Sequence, residues 1–290
     1  MNILISGGTG FVGRMLVEEL KVKHKLFVLT RDPVNAEKKL GNNITFIKWE
    51  DVYQPIDLIP YGTIDAVINL VGENIGDKKW SNEQKKVLFN SRVDATKTII
   101  SSIKNSQGTV KHFISTSAVG IYTDGFLKKL CIAWEAAVTD FGKDIIERSV
   151  ILRVGMVLGK GGAVSKMLKA FNMGVGGKLG DGQQWMCWIH RYDLVKAYEF
   201  CLDNKSVTGV VNAVSPFPVR NEEFTEVLGN VLRKPTVLTV PKFALKLIFG
   251  EMSALMLDSI RIEPKVLKES RFHYLNPTIE LALKDVVSKS

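Results

Sequence analysis

The stretch GGTGFVG at positions 7–13 constrains this chain more than any other. Gly7, Gly10 and Gly13 follow a G-x-x-G-x-x-G spacing between the apolar run NILISG and a run with helical spacing at Val12, Leu16, Val17 and Leu20. A strand, a glycine turn and a helix in that order form an anion cradle. The glycines permit a tight turn and let the main chain approach a diphosphate, while the helix N-terminus supplies N–H groups and the positive end of its dipole. Thr9, Phe11 and Val12 complete the loop. Dinucleotide binding is the expectation, with a purely structural glycine turn as the alternative.

The pattern around the loop supports it. Further apolar runs lie at 25–31, 44–49, 65–72, 110–118 and 148–159, with helical patterns at 81–103 and 127–138 between them. Ser81 and Gln84 match a capping box at the start of the long helix. Nearly all-apolar strands alternating with helices imply a parallel sheet covered on both faces. The fold class expected is α/β, a doubly wound parallel sheet with a smaller, mostly helical C-terminal lobe. Residues 1–215 read as the nucleotide-binding domain, including a Gly-rich substrate-loop segment at 160–192. Residues 216–290, broken by Pro235, Pro241, Pro264 and Pro277, read as the lobe.

The chain has 290 residues, 46% hydrophobic and 24% charged, the composition of a soluble domain. No basic leader or cleavage site precedes the first strand, so no secretory leader is expected. The late run FALKLIFG is short and contains Lys246, so it is no membrane span. Cys131, Cys187 and Cys201 lack C-x-x-C spacing, which argues for a reducing compartment, taken as the cytoplasm, and against a metal site. The net charge of +9 comes from scattered residues without a nucleic-acid-binding motif. A small-molecule substrate is expected, with neither nucleic acid nor membrane as partner; the oligomeric state is open.

The second strand ends in Thr30 and Arg31. A site preferring NAD usually has an acidic residue there for the ribose hydroxyls, whereas a guanidinium pairs with a 2′-phosphate. NADP is therefore the expected cofactor. NAD stays the alternative, because Asp32 would reach the ribose after a one-residue shift.

With these pieces placed, the chain resembles the atypical and extended short-chain dehydrogenases/reductases, in their branch of NAD(P)-dependent nucleoside-diphosphate-sugar epimerase-like proteins. The resemblance rests on ISGGTGFVG (5–13), NLVGENI (69–75), SRVDAT (91–96), STSAVGIY (115–122), LRVGMVLG (152–159) and QWMCWIHRYDL (184–194). It rests also on VNAVSPFPVRNEEF (211–224) and VPKFALKLIFGEM (240–252), which look like a C-terminal domain peculiar to the branch. The resemblance implies that Asn69, Leu70, Val71 and Gly72 form a turn past the cofactor. It also sets Arg92 and Arg153 among the cofactor-binding residues. Ser117 would hydrogen-bond the reacting oxygen, and Trp185, Trp188 and His190 would touch the substrate. Trp80, Trp185 and Trp188 could wall a substrate ring, or simply pack in the core.

One departure is chemical. Members of the superfamily use a Tyr as acid/base with a Lys four residues on, because a phenol of pKa near 10 needs a cation's help near neutrality. Aligned on Glu135, those slots hold Leu127 and Cys131. Cys131 reads as a small buried hydrophobe. Glu73 and Tyr122 are the rival candidates for proton transfer. An NADP-dependent oxidoreductase or epimerase-like enzyme on a small polar or sugar-like substrate is the leading expectation. A non-catalytic NADP(H)-sensing protein is its rival. The other departure is length. TDG, at 123–125, is a short bridge where relatives carry about a dozen more residues; a chain break between Tyr122 and Phe126 is expected, with a real deletion as the alternative.

Overall fold

The computed structural model describes residues 1–288. Thirteen strands are found among them: β1 (Asn2–Ser6), β2 (Lys25–Thr30), β3 (Thr45–Lys48), β4 (Ala66–Asn69), β5 (Val110–Ala118), β6 (Ile146–Val154), β7 (Met156–Leu158), β8 (Gly177–Leu179), β9 (Trp185–Met186), β10 (Trp188–His190), β11 (Gly209–Ala213), β12 (Val219–Arg220) and β13 (Leu238–Val240). The helices used below are α1 (Gly13–Leu20), α2 (Pro33–Leu40), α3 (Asn82–Asn90), α4 (Val93–Gln107), α5 (Phe126–Thr139), α6 (Ala163–Asn172), α7 (Arg191–Asp203), α8 (Asn221–Leu232) and α9 (Lys242–Phe249). Short helices at Ala254–Leu257, Lys265–Glu269 and Ile279–Ser288 follow.

Seven strands form the main sheet in the order β11-β6-β5-β4-β1-β2-β3, and the run from β5 to β3 pairs in parallel. Ile3, Leu4 and Ile5 of β1 are fully buried, so both faces of the sheet are covered. The doubly wound α/β class expected from the alternation is the one found, and the late part of the chain is mostly helical as anticipated.

The chain divides into two compact units. One comprises Met1–Asn74, Lys85–Arg153 and Val195–Val211; the other comprises Ile75–Gln84, Val154–Leu194 and Asn212–Ser290. The division follows space rather than chain order. Segment 160–192 therefore goes with the second unit, not with the nucleotide-binding half expected at 1–215. Each unit has its own apolar core. In the first, Leu4, Phe27, Ile99 and Phe113 belong to one cluster; in the second, Trp188, Phe224, Leu228 and Leu283 belong to another.

Two elements expected to be continuous are broken. The helical pattern at 81–103 yields α3 and α4, separated at Ser91 and Arg92. The apolar period runs across the break, so the pattern alone does not reveal it. The run at 148–159 splits at Gly155, where a Cβ would lie 2.8 Å from the Cys187 carbonyl oxygen. Beyond it, β7 pairs with β10 outside the main sheet. The capping box is half realised: the Gln84 N–H donates to Ser81 Oγ at 3.2 Å.

The C-terminus of α7 is anchored by Arg148. Its Nη1 donates to the carbonyls of Cys201, Asn204 and Val207, its Nη2 to those of Cys201 and Leu202, and its Nε to His112 Nδ1 at 3.2 Å. Acceptance at Nδ1 requires a neutral ring. Burial first, then the Arg148 charge, lowers the His112 pKa from 6.5. A base that the fold keeps neutral is protonated more readily in the unfolded chain, so its contribution is complete above about pH 6.5 and declines below. Urea midpoints should fall as the pH drops from 7.5 to 5.5. The fall should be shallower in His112→Gln, which keeps an acceptor but does not titrate; equal slopes would refute this assignment.

Candidate active site at the strand ends of the first unit

The glycine loop is shaped by what a side chain would strike. Gly7 has φ +69°, and a Cβ there would lie 2.7 Å from the Leu70 carbonyl oxygen. At Gly13 it would lie 2.2 Å from the Gly7 carbonyl oxygen, and at Gly10 3.1 Å from the same atom. The Gly10 N–H closes the turn onto Gly7 O at 3.0 Å. Helix α1 then starts at Gly13 with Val12 as its N-cap, no capping side chain and no acidic residue in its first turn. Its amide end is thus left to an anion, and the cradle fits a dinucleotide diphosphate. Thr9, Phe11 and Val12 are half-buried on this loop.

Asn69 is fully buried and binds three strand ends together rather than facing outward. It accepts from Ser6 Oγ at 2.6 Å and donates to Thr96 Oγ1 at 2.8 Å and to Ser115 Oγ at 3.4 Å. Leu70 and Val71 follow, half-buried, and Gly72 lies against the Arg92 guanidinium, 3.0 Å from its Cζ to a Cβ there. Arg92 donates to the carbonyls of Glu73 (2.8 Å) and Leu88 (3.1 Å) and stacks on Trp134. Burial brings its pKa down to about 10. The break between α3 and α4 is what turns this side chain onto the Leu70–Glu73 strand exit. Glu73 is half-buried, and its N–H donates to Ser91 Oγ at 3.0 Å.

At the end of β2, Arg31 is exposed and Thr30 half-buried. Asp32 is committed elsewhere. It caps α2, its Oδ1 accepting the Asn35 N–H at 3.0 Å.

Ser117, at the end of β5, is buried and donates to Glu135 Oε1 at 2.7 Å. Arg153, at the end of β6, grips the same carboxylate with Nε (2.8 Å) and Nη2 (2.7 Å). Its Nη1 donates to Tyr122 Oη at 2.8 Å, and its guanidinium lies 5.1 Å from the Tyr122 ring centre. The hydrogen bonds to Glu135 raise the Arg153 pKa further, so the guanidinium stays charged. Tyr122 ends a short 3-10 turn (Val119–Tyr122) and is partly exposed.

Glu135 is the residue that sequence reasoning missed as a participant; it served only to align the helix. A signal was present. Leu127, Cys131 and Trp134 mark the inward stripe of α5, and Glu135 falls on it, four residues after Cys131. A charge on an apolar stripe requires a partner. Leu127 packs against Gly120, and burial pushes the Cys131 thiol up to about 11, so neither does acid–base work near neutrality. The expected break before Phe126 is absent. The Thr123 N–H and hydroxyl both bond to Gly120 O, Gly125 adopts φ +77°, and α5 begins at the next residue. A left-handed glycine turn makes so short a bridge feasible.

The remaining expected residues lie in the second unit. Trp188 is wholly buried, its Nε1 donating to Phe217 O, and Trp80 donates to Ile75 O. His190 is buried, with Nε2 3.2 Å from Asp285 and Nδ1 3.0 Å from Asn276 Nδ2. Trp185 is half-buried between the guanidinium groups of Arg220 and Arg261, at 4.5 and 4.7 Å from its ring.

Comparison with known proteins shows the family. The profile of the NAD dependent epimerase/dehydratase family matches residues 3–213, and a domain of unknown function, DUF1731, matches 240–286. This chain belongs to the NAD dependent epimerase/dehydratase family. Among family relatives, the SDR39U1 homologue of Arabidopsis thaliana, a chloroplastic protein, is 34% identical over 99% of this chain and 87% of its own. The epimerase family protein SAR0825 of Staphylococcus aureus is 33% identical over 99% of both chains. Its alignment runs over 303 residues, more than the 290 here, so it carries residues without counterpart in this chain. The crystal structure of human SDR39U1 with NADPH superimposes with a TM-score of 0.88 at 28% identity, covering both chains fully. Among the described residues, no helix is long and apolar enough to cross a membrane.

Proposed function

We propose that the chain is an NADP-dependent oxidoreductase or epimerase-like enzyme acting on a small polar or sugar-like substrate. The observation that carries this reading is the hydrogen bond from Arg153 to Tyr122. It sets a cation against a phenol at the carboxyl ends of the strands, the edge where such sheets bind their ligands. In this reading Arg153 takes over the task of the lysine that Cys131 replaces. NADP, when bound, gives or accepts hydride. The cradle at Gly7, Gly10 and Gly13 holds the diphosphate, and Arg31 meets the 2′-phosphate, since Asp32 is engaged as a helix cap. Ser117, whose proton goes to Glu135, orients the substrate oxygen. Tyr122 transfers the proton at Oη. Human SDR39U1, crystallised with NADPH, supports the cofactor choice.

The test combines fluorescence titration with turnover. Wild type should bind NADPH more tightly than NADH, and Arg31→Ala should lose about tenfold in NADPH affinity while leaving NADH unchanged. Across a panel of carbonyls and nucleotide sugars, Tyr122→Phe should lower kcat about a hundredfold with NADPH affinity intact. The loss of the Tyr and Lys slots to Leu127 and Cys131 favours a second reading, a non-catalytic NADP(H) sensor. Tight NADPH binding without turnover on any substrate would select it.

A further inference from the structure

Helix α9 is turned inside out. Among its eight residues only Leu245 is buried. Phe243 and Leu247, on the side opposite Leu245 at helical spacing, are 73% and 82% exposed, and Ile248 is 52% exposed. A surface helix ordinarily turns such residues to the core. The apolar surface continues on β13 and its approach, where Val237 is 87% and Leu238 46% exposed. The start of α9 is fixed to β8, with which β13 pairs. The Lys242 stem lies against Gly180, just past β8, and its Nζ pairs with Asp181 at 2.8 Å.

The α9–β13 segment itself carries charge of one sign, with Asp181 against Lys242 and the exposed Glu251 just past its end. From Arg233 to Gly250 the sequence carries Arg233, Lys234, Lys242 and Lys246 and no acidic residue. Lys242 is neutralised by Asp181. The other three are exposed, and among the described residues none has a carboxylate within ion-pairing distance. Lys246 stands three residues from Phe243, hence beside it on the helix surface.

We propose that the outward face of α9 with the adjoining β13 is a docking surface for an anionic phospholipid bilayer. Three features select that occupant. The apolar side chains project from the helix, as interfacial insertion requires, whereas a helical peptide partner would need a groove. The flanking cations complement lipid phosphates. A second copy of this chain on the same face would set like charges against each other. The contact is peripheral, and it stands apart from the reading of the nucleotide site.

The test is co-sedimentation of the full chain with phosphatidylcholine vesicles and with vesicles containing phosphatidylserine, at low and high salt. Wild type should bind only the serine-containing vesicles and should leave them at high salt, where surface charge is screened. Leu247→Glu should lower the partition coefficient at least about tenfold, and Lys246→Glu about threefold, with unchanged circular dichroism. Three outcomes overturn the proposal: no binding of wild type to acidic vesicles, equal binding to neutral ones, or full binding by Leu247→Glu. A dimer in sedimentation velocity that Leu247→Glu dissolves would also overturn it, giving the face to a second copy.

Discussion

Gly13→Ala should weaken NADPH binding at least about a hundredfold, roughly 3 kcal/mol, in a fluorescence titration. The added methyl carbon would sit 2.2 Å from the Gly7 carbonyl oxygen and 2.7 Å from Gly8 Cα. No rotamer relieves a clash between a Cβ and main chain, so the loop must open, and the N–H groups at the start of α1 move away from a diphosphate. Gly10→Ala provides a graded comparison. Its Cβ would lie 3.1 Å from the same oxygen at an exposed position, so a smaller loss is expected. Binding by Gly13→Ala at wild-type strength would show that the cradle does not hold the cofactor.

Arg153→Leu should destabilise the fold by about 3 kcal/mol in urea denaturation. Glu135 is buried, and its carboxylate takes two hydrogen bonds from Arg153 and one from Ser117. Without the guanidinium a buried charge is left unpaired, which costs far more than the pair contributes. The double variant Glu135→Leu/Arg153→Leu should therefore recover much of the loss, with a coupling of at least about 1 kcal/mol in the cycle. Additive effects would mean that the two side chains do not act as a unit. Arg153→Leu should also slow turnover more than Ser117→Ala slows it, because it removes the partner of Tyr122 as well.

Much of the site was legible because it depends on local chain geometry. A glycine turn between a strand and a helix needs only adjacent residues, so the turn at Gly7, Gly10 and Gly13 was readable. The strand-end position of Arg31 was readable for the same reason. Asp32, the competing residue, also makes a local contact, its cap on α2. Leu127 and Cys131 are buried on α5, as their place on its inward stripe implies. The partners of Ser117 were not readable. Glu135 lies 18 residues later in the chain and Arg153 a further 18, and they meet only because β5, β6 and α5 converge. Arg92 was assigned to the cofactor region, yet the break in the helix that aims it at Glu73 leaves the apolar period undisturbed.

The order of the seven strands, the early end of β6 at Gly155 and the passage of 160–192 to the second unit are likewise decided by long-range packing. Gly155 shows why. Its neighbours in sequence permit a strand to continue, and it is the approach of the distant Cys187 main chain that leaves no room for a side chain there. By itself the sequence determined the α/β class, the glycine cradle, the loss of the Tyr and Lys slots and the basic, acid-free stretch around α9. The tertiary structure alone decided that Ser117, Glu135, Arg153 and Tyr122 form one hydrogen-bonded chain and that Phe243 and Leu247 face outward. Backbone turns and composition are properties of neighbouring residues, whereas ion pairing and burial depend on which distant segments the folded chain brings into contact.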